Sequence, residues 1–283
     1  MRAGTLLLLR HGRTAYNAEG RLQGQVDIPL DDVGRWQARE GAATLAAAHR
    51  VTRIVASDLV RAADTAHALG EVTGLPVTLD ARLRERSFGP WEGLTAAEMR
   101  EGWPEEYAAW RHGGEPVEGA EPRAAVAERF VEAVEEHAAG LARDEVLCVV
   151  SHGAAISTGT TALLGLDVEA WRGLVGPANV HWAELRAGGP DAVPSWRLAR
   201  YDAGAAFSRE HWAAGPDWIS RQPSAETYQG PPRWADARVR PHGAVAQLVA
   251  HLHGMQGVRG SNPLSSTRSK AGTKRSRPSS LRD

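Results

Sequence analysis

The strongest constraint on the fold is a pattern that occurs twice, an apolar run followed by a polar residue, a histidine and a glycine. The first copy, "LLLLRHG", ends in Arg10 and His11, and the second, "VLCVVSHG", ends in Ser151 and His152. A short apolar run bounded by polar residues is typical of a strand that is buried on both faces, as in parallel sheets. Two core strands are therefore predicted to carry a histidine at their carboxyl ends.

Strand-like and helix-like segments alternate along the first 200 residues. The predicted strands span residues 5–9, 53–56, 77–79, 145–150, 179–186 and 195–202. The predicted helices span 31–49 with Asp31 or Asp32 as N-cap, a segment capped by Ser57 and Asp58 that ends before Gly74, then 122–143 and 154–164. This alternation predicts an α/β fold with three layers, a mostly parallel sheet covered by helices on both faces. Such sheets bind ligands at the carboxyl ends of their strands.

Four of these strand ends supply charged or titratable side chains. They are Arg10, His11, Asp58, Arg61, Arg82, Arg84, Glu85 and His152. Arginines and histidines that converge in a dry pocket repel one another unless they surround an anion, and the planar guanidinium group binds phosphate with two parallel hydrogen bonds. Backbone N–H groups of the helix that starts after Gly153 are expected to add further donors to such an anion.

These side chains together predict phosphoryl chemistry. A neutral imidazole can attack phosphorus. Glu85 would protonate the leaving oxygen, provided that its carboxyl group holds a proton at that stage. The sequence contains no G-x-x-x-x-G-K-[ST] motif and no clustered Cys/His spacing, and arginines can supply the electrostatic stabilisation that a metal ion supplies elsewhere. We therefore expect no metal and no other cofactor.

Four segments of the chain, in order, resemble the histidine phosphatase superfamily and its phosphoglycerate mutase-like fold. They are "LLRHGRTAYN", "SDLVRAADTA", "RLRERSFGPWEGLT" and "VVSHG". A single R-H-G is a weak signal, whereas four segments with compatible spacing are specific. The resemblance covers about residues 3–203.

The resemblance implies a role for each of five catalytic candidates. His11 is the residue that becomes phosphorylated, and Arg10, Arg61 and His152 hold the phosphoryl group. Glu85 is the proton donor and later the base that activates water.

The resemblance also implies a set of residues that bind the substrate beside these five. Asn17 closes the phosphate loop, Thr14 lies within that loop, and Gln23 and Gly24 belong to a segment that touches the substrate. Glu92 is the alternative to Glu85 as the acid, and we prefer Glu85 for its motif position although arginines flank it. Trp91, Trp103 and Trp110 flank an irregular stretch predicted to cover the site, and one of them is a hypothetical wall of a sugar or glycerate pocket.

The sequence alone leaves three functions open. The first is a phosphatase for a small phosphorylated metabolite, the second a cofactor-dependent phosphoglycerate mutase, and the third a pseudoenzyme that binds phosphorylated ligands. The complete set of chemical groups argues against the pseudoenzyme. The modest stretch between Glu85 and His152, and a first loop without E-S-x-W-N, argue against the mutase. "YNAEGRLQGQVDIPLDDVG" and "NVHWAEL" are similar to actinobacterial glucosyl-3-phosphoglycerate phosphatases, which implies that substrate or a related sugar or glycerate phosphate.

The charge distribution divides the chain into two parts. Residues 1–204 carry 29 acidic and 21 basic side chains, whereas 205–283 carry 5 acidic and 12 basic ones, and Lys270 and Lys274 are the only lysines. Residues 243–273 resemble the translation of a tRNA gene. We therefore predict a histidine phosphatase domain at 1–204 and a basic, disordered extension at 205–283 that arose by read-through, with a genuine nucleic-acid-binding tail as the alternative.

The expected location is the cytoplasm. The chain has one cysteine, Cys148, so that no intrachain disulfide can form, and no secretory signal is visible. No apolar stretch is long enough to span a membrane. Cys148 lies in a predicted strand and is expected to be buried and inert. We expect a small phosphorylated metabolite as ligand, no nucleic acid or membrane partner, and leave a homodimer open.

Overall fold

The computed structural model describes residues 2–189 and 191–220, and a six-stranded sheet of order β3-β2-β4-β1-β5-β6 forms its centre. The strands are β1 (Thr5–Arg10), β2 (Arg53–Ala56), β3 (Val77–Leu79), β4 (Val146–Ser151), β5 (Trp182–Ala187) and β6 (Trp196–Ala203). The helices are α1 (Ala15–Glu19), α2 (Asp32–Ala48), α3 (Val60–Thr73), α4 (Ala96–Gly102), α5 (Pro104–Arg111), α6 (Arg123–Ala138), α7 (Gly153–Leu163), α8 (Arg209–Ala214) and α9 (Asp217–Ser220). All six predicted strands are confirmed, with shifts of up to three residues at their ends.

The sheet is mostly parallel, as predicted, with one strand that runs the other way. β1, β2, β3 and β4 pair in parallel, whereas β5 runs antiparallel to β1 and β6 runs antiparallel to β5. β5 is antiparallel because the chain enters it from the carboxyl end of β1, where the Val180 N–H donates to the Arg10 carbonyl (3.1 Å). The connection from β5 to β6 is too short for the crossover that a parallel pair requires.

Helices cover both faces of the sheet, as predicted. Alternate side chains of a strand point to opposite faces. Leu6 and Leu8 of β1 therefore pack with α6 and α7, while Leu7 and Leu9 pack with α2 and α3. All four leucines are buried, and complete burial of one such side chain contributes about 1.5–3 kcal/mol to folding. Cys148 is buried in β4, and this burial raises the pKa of its thiol to about 12.

Helix ends follow local capping rules in most places. Asp31 is the N-cap of α2, where its Oδ1 accepts a hydrogen bond from the Gly34 N–H (2.7 Å), and Gly74 ends α3 with a left-handed φ of 72°. The predicted caps Ser57 and Asp58 are wrong, because the Asp58 carboxylate binds Arg84 instead. Helix α6 ends at Ala138 rather than 143, since extended backbone and a left-handed glycine follow it.

The segment between β3 and α6 forms a small aromatic lobe with its own core. Phe88, Trp91, Met99 and Val117 are its buried members, and Trp110 packs against them. Ala154, at the start of α7, contacts this lobe. The lobe thus lies beside the carboxyl edge of the sheet.

Residues 205–220 pack on the domain, so the predicted boundary at 204 lies too early. Trp212 in α8 is buried and contacts Trp36, with the two tilted rings 5.0 Å apart between centroids. The Trp212 carbonyl accepts a hydrogen bond from Gln37 Nε2 (2.7 Å). Arg13 Nη1 donates to the Ala213 carbonyl (2.6 Å). Burial of this tryptophan is the physical reason that the segment belongs to the fold. The remaining residues of the predicted extension, 221–283, lie outside the described residues.

Truncation after Gly204 is expected to destabilise the domain because it removes Trp212. Loss of a buried tryptophan costs about 3–5 kcal/mol, which corresponds to a fall in Tm of about 10 °C for a domain of this size. Truncation after Ser220 is the matched control and should leave Tm and turnover unchanged. Equal Tm values for the two truncated chains, measured by calorimetry, would show that α8 contributes nothing.

Within the described ranges, none of the helices has the length and apolar character that a membrane crossing requires.

Candidate active site

Three parallel strands end side by side and place their following residues together. Arg10 of β1 pairs with Ser151 of β4, and Ala56 of β2 pairs with Val150 of β4. The next residues are His11, His152 and Ser57. The rings of the two histidines lie 5.1 Å apart between centroids. The sheet register thus brings together the two histidines of the repeated sequence pattern.

His11 has a defined tautomer. Its Nδ1 lies 2.7 Å from the carbonyl oxygen of Gly12, and since a carbonyl only accepts, Nδ1 carries the proton. Burial lowers the pKa of His11 well below its ordinary value, and the nearby Arg61 and Arg10 lower it further. His11 is therefore neutral at pH 7, with the lone pair on Nε2 available for attack.

Arg10 and Arg61 are held by backbone carbonyls. Arg61, which is fully buried, donates from Nη1 to the Val26 carbonyl and from Nη2 to the Gly24 carbonyl, both at 2.8 Å. Arg10 Nη1 donates to the Pro177 carbonyl at 2.7 Å. Burial lowers the pKa of both groups, that of Arg61 to about 10, so both stay charged at neutral pH.

Three nitrogen atoms of the site are buried and unpaired among the residues that the structure describes. They are Arg10 Nε, Arg61 Nε and His152 Nδ1, of which the two guanidinium nitrogens are donors in every protonation state. A buried donor without a partner costs about 1–3 kcal/mol, more when it is charged. Arg10 and Arg61 also line the cavity that His11 lines. An anion with several acceptor oxygens would satisfy both guanidinium donors.

Glu85 is fixed by backbone N–H groups at the start of α7. Its Oε1 accepts from Ala155 (2.9 Å) and Arg86 (2.8 Å), and its Oε2 accepts from Ala154 (3.1 Å). The helix N-terminus expected to bind an anion through Gly153 therefore binds this carboxylate, a placement that the helix dipole favours. Glu85 lines the same cavity as His11.

Glu92 has a different environment. Its Oε1 accepts hydrogen bonds from the Gln25 N–H (3.1 Å), the Ser87 hydroxyl (3.1 Å) and the Phe88 N–H (2.9 Å). It is absent from the described lining of the cavity. A Cβ at Gly24 would meet Glu92 Oε1 at 2.1 Å, so this position needs glycine for the close approach. The geometry is that of a carboxylate that holds two loops together.

The loop after β1 is closed by polar contacts. Asn17 Oδ1 accepts from the Thr14 N–H (3.2 Å), and Thr14 Oγ1 donates to Gln23 Oε1 (2.9 Å). Asn179, which sequence reasoning missed, donates from Nδ2 to Asn17 Oδ1 (3.2 Å) and to the His11 carbonyl (3.0 Å). Trp212 Nε1 in turn donates to the Asn179 carbonyl (2.8 Å), so α8 braces the loop that carries His11.

The cavity has a volume of about 350 Å³ and contains most of the predicted residues. Its lining includes Arg10, His11, Asn17, Gln23, Gly24, Arg61 and Glu85. Thr14 and His152 are fully buried behind it. Sequence reasoning missed Arg21, Leu22, Phe88, Ser157 and Gly176, which also line it. Arg21 and Leu22 stand directly before Gln23 in "RLQG", which is a signal that could have found them.

Two of the predicted strand-end arginines lie elsewhere. Arg82 pairs with Asp80, Glu132 and Glu136, and Arg84 pairs with Asp58. Both guanidinium groups bind these carboxylates outside the cavity. Of the three charged residues predicted at the end of the third strand, Glu85 alone lines the cavity. Of the three tryptophans considered for the pocket wall, Trp110 lines the cavity. Trp91 and Trp103 pack inside the aromatic lobe.

Known proteins share this arrangement of segments. Residues 6–196 match the family model described as histidine phosphatase superfamily (branch 1). The chain belongs to the histidine phosphatase superfamily. A glucosyl-3-phosphoglycerate phosphatase from Mycolicibacterium vanbaalenii is 42% identical over 226 residues, which cover 74% of this chain and 99% of that protein. One from Mycobacterium tuberculosis is 41% identical over 223 residues, covering 74% and 99%.

A solved structure shows the same fold. It is a mycobacterial glucosyl-3-phosphoglycerate phosphatase in complex with VO3, with a TM-score of 0.65 and 40% identity over 71% of this chain and all of that chain. The phosphoglycerate mutase-like α/β fold and the phosphatase family are therefore those that the sequence predicts. In the described part of the chain, no group of three His, Cys, Asp or Glu side chains is arranged to hold a metal ion.

Proposed function

We propose that this phosphatase hydrolyses phosphomonoesters through a phosphohistidine formed at Nε2 of His11. The observation that carries the proposal is the pair of buried, unpaired guanidinium donors, Arg10 Nε and Arg61 Nε, beside a neutral His11. A phosphoryl group supplies acceptor oxygens and the negative charge that two buried guanidinium groups require.

In the first step, Nε2 of His11 attacks phosphorus and the bond from phosphorus to the ester oxygen breaks. Arg10 and Arg61 stabilise the charge on the phosphoryl oxygens. The leaving oxygen takes its proton from Glu85, whose two carboxylate oxygens are fixed by backbone donors in the same cavity. A phosphate group that binds next to this carboxylate favours a proton on Glu85, because two adjacent negative charges repel each other.

In the second step, water attacks the phosphorus of phosphohistidine and the P–N bond breaks. Glu85, now without its proton, accepts a proton from that water. His11 leaves as a neutral imidazole with its proton still on Nδ1, held by the Gly12 carbonyl. Inorganic phosphate then dissociates, and the protein returns to its starting state.

The substrate is proposed to be glucosyl-3-phosphoglycerate or a related sugar or glycerate phosphate. The two curated relatives described above are named for this activity. Phe88 and Trp110 give the cavity an aromatic wall, which suits the apolar face of a sugar ring, and Arg21 adds a cationic group to the lining.

A substrate panel tests this function. We expect the highest kcat/KM for glucosyl-3-phosphoglycerate, a lower value for p-nitrophenyl phosphate, and little 2-phosphoglycerate from 3-phosphoglycerate with catalytic 2,3-bisphosphoglycerate. Fast interconversion of the phosphoglycerates would identify a mutase instead. Phosphate-ligand binding without turnover of any compound would identify a pseudoenzyme.

Other properties stay predictions from the sequence. They are a cytoplasmic location, catalysis without metal or cofactor, and the absence of nucleic acid and membrane partners, with a homodimer left open. Insensitivity of turnover to EDTA would support metal independence.

A further inference from the structure

Ser57 contacts the second histidine of the site. It follows β2 directly and is fully buried. Its Oγ lies 2.8 Å from Nε2 of His152. The contact follows from the sheet register, because Ala56 pairs with Val150 and the next residues of the two strands extend past the same edge. The sequence predicts Ser57 only as a helix cap, and that role is wrong for its side chain.

The Ser57 hydroxyl has two contacts in the described residues. The backbone N–H of Leu59 donates to Ser57 Oγ at 3.3 Å and occupies one of its lone pairs. Nε2 of His152 is the acceptor that lies within hydrogen-bond distance for the hydroxyl proton.

The other nitrogen of His152 is unpaired among the described residues. Nδ1 of His152 is buried and has no partner in residues 2–189 and 191–220. His152 lies between the strand ends that carry His11 and Ser57, and its ring is 5.1 Å from that of His11. If Nε2 accepts a proton from Ser57, the proton of the neutral ring is on Nδ1.

We infer that Ser57 is a positioning residue that holds His152 in the tautomer with the proton on Nδ1, so that Nδ1–H donates to a phosphoryl oxygen. The inference rests on the proposed function for the identity of the acceptor. The tautomer itself is inferred from contacts within the protein, without reference to a substrate.

The charges around His152 explain why this tautomer would favour phosphate binding. Burial lowers the pKa of His152 well below its ordinary value, and the nearby charged groups Arg61, His11, Arg10 and Arg129 lower it further. The ring is therefore neutral at pH 7. A neutral ring with Nδ1–H adds a donor without a third positive charge beside the two guanidinium groups. The opposite tautomer would direct the Nδ1 lone pair at a phosphoryl oxygen, which is repulsive. Ser57 therefore determines whether Nδ1 of His152 donates to a phosphoryl oxygen or repels it.

The direct test is the tautomer of His152 in the free wild-type protein. Long-range ¹H–¹⁵N spectra of the protein with ¹⁵N-labelled histidine distinguish protonated from unprotonated ring nitrogens. The chain has 11 histidines, and the signals of His152 are those that the His152→Gln variant lacks. We expect protonated Nδ1 and unprotonated Nε2. Protonated Nε2 in the wild-type protein overturns the inference.

Variants of Ser57 test the cause of the tautomer. Ser57→Ala is expected to populate protonated Nε2 and to weaken inhibition by inorganic phosphate about tenfold, the usual scale for one lost hydrogen bond. Ser57→Thr keeps a hydroxyl and should restore the Nδ1 tautomer. An unchanged tautomer in Ser57→Ala shows that Ser57 does not set it.

A control separates positioning from structural stabilisation. Thr161 is buried and its hydroxyl donates to the Ser157 carbonyl within α7 (2.8 Å), without contact to His152. Thr161→Ala should lower Tm as Ser57→Ala does, but leave the tautomer and phosphate inhibition unchanged. The tautomer is measured without substrate. A chain that shows the Nδ1 tautomer but no hydrolysis would therefore refute the proposed function alone, and the reverse result would refute the inference alone.

Discussion

His11→Ala is expected to lower kcat by about 10⁴–10⁶, the scale seen when an enzymatic nucleophile is removed. Water that enters the vacated space is neither as nucleophilic as imidazole nor held by the Gly12 carbonyl as Nδ1 of His11 is. Arg10 and Arg61 keep their carbonyl partners in this variant. Binding of inorganic phosphate, measured by calorimetry, should therefore persist while turnover is lost.

The matched control for this variant is His67→Ala, which removes an exposed histidine from α3. It should retain wild-type turnover with p-nitrophenyl phosphate and with the best substrate of the panel. Retention of more than about one hundredth of wild-type kcat by His11→Ala, with the contaminating host phosphatases excluded, would contradict a nucleophilic role.

Glu85→Gln is expected to lower kcat/KM by about 10²–10⁴ for substrates with poor leaving groups, the usual range for lost general acid catalysis. The amide has no proton of suitable acidity to give to the leaving oxygen. It also replaces one carboxylate oxygen with NH₂, which is a donor, so one of the N–H groups of Ala154 and Ala155 loses the acceptor that Glu85 provides. The phosphorylation step should slow less with p-nitrophenyl phosphate, whose leaving oxygen scarcely needs a proton, and rapid-quench kinetics measure that step separately.

Glu92→Gln is the natural comparison, because Oε1 alone of Glu92 accepts all three hydrogen bonds that hold it. A glutamine carbonyl oxygen can accept the same three bonds, so we expect kcat/KM within a few-fold of wild type. The assignment of the acid would be wrong if Glu92→Gln showed the dependence on leaving group and Glu85→Gln did not.

The sequence predicts the central part of the fold because each signal is local. The apolar run before Arg10 is too short and too uniform for an amphipathic helix, and Asp31 and Gly74 mark the ends of their helices by capping chemistry. The direction of β5 is not a local property. It depends on the loop before it returning to the carboxyl end of β1, which no periodicity within that strand reveals.

The site residues also fall into those that the sequence identifies and those that only the structure reveals. His11, Arg61, Glu85 and His152 stand in ordered segments that a family resemblance identifies. Ser57 and Asn179 stand in the quoted segments "SDLVRAADTA" and "NVHWAEL", but their contacts join residues 95 and 168 positions apart in the chain, so no local pattern reveals what they contact.

The boundary at 204 is wrong for a related reason. The basic charge of 205–283 lies almost entirely after Ser220, because residues 205–220 carry one basic side chain, Arg209, and two acidic ones, Glu210 and Asp217. The place of this segment in the fold depends instead on one buried side chain, Trp212, and on the polar contacts around it. A charge count over the whole extension does not reveal such a side chain.

The measurement that tests the account most directly is the isolation of the covalent intermediate. The full-length protein is mixed with ³²P-labelled substrate, quenched in base within milliseconds, and analysed by mass spectrometry under alkaline conditions. We predict one phosphoryl group on Nε2 of His11, stable in base and labile in acid, and no label in His11→Ala. Phosphate on Nδ1 would contradict the hydrogen bond from that nitrogen to the Gly12 carbonyl. An acid-stable phosphoester on a serine, or turnover without any phosphoenzyme, would contradict the mechanism itself.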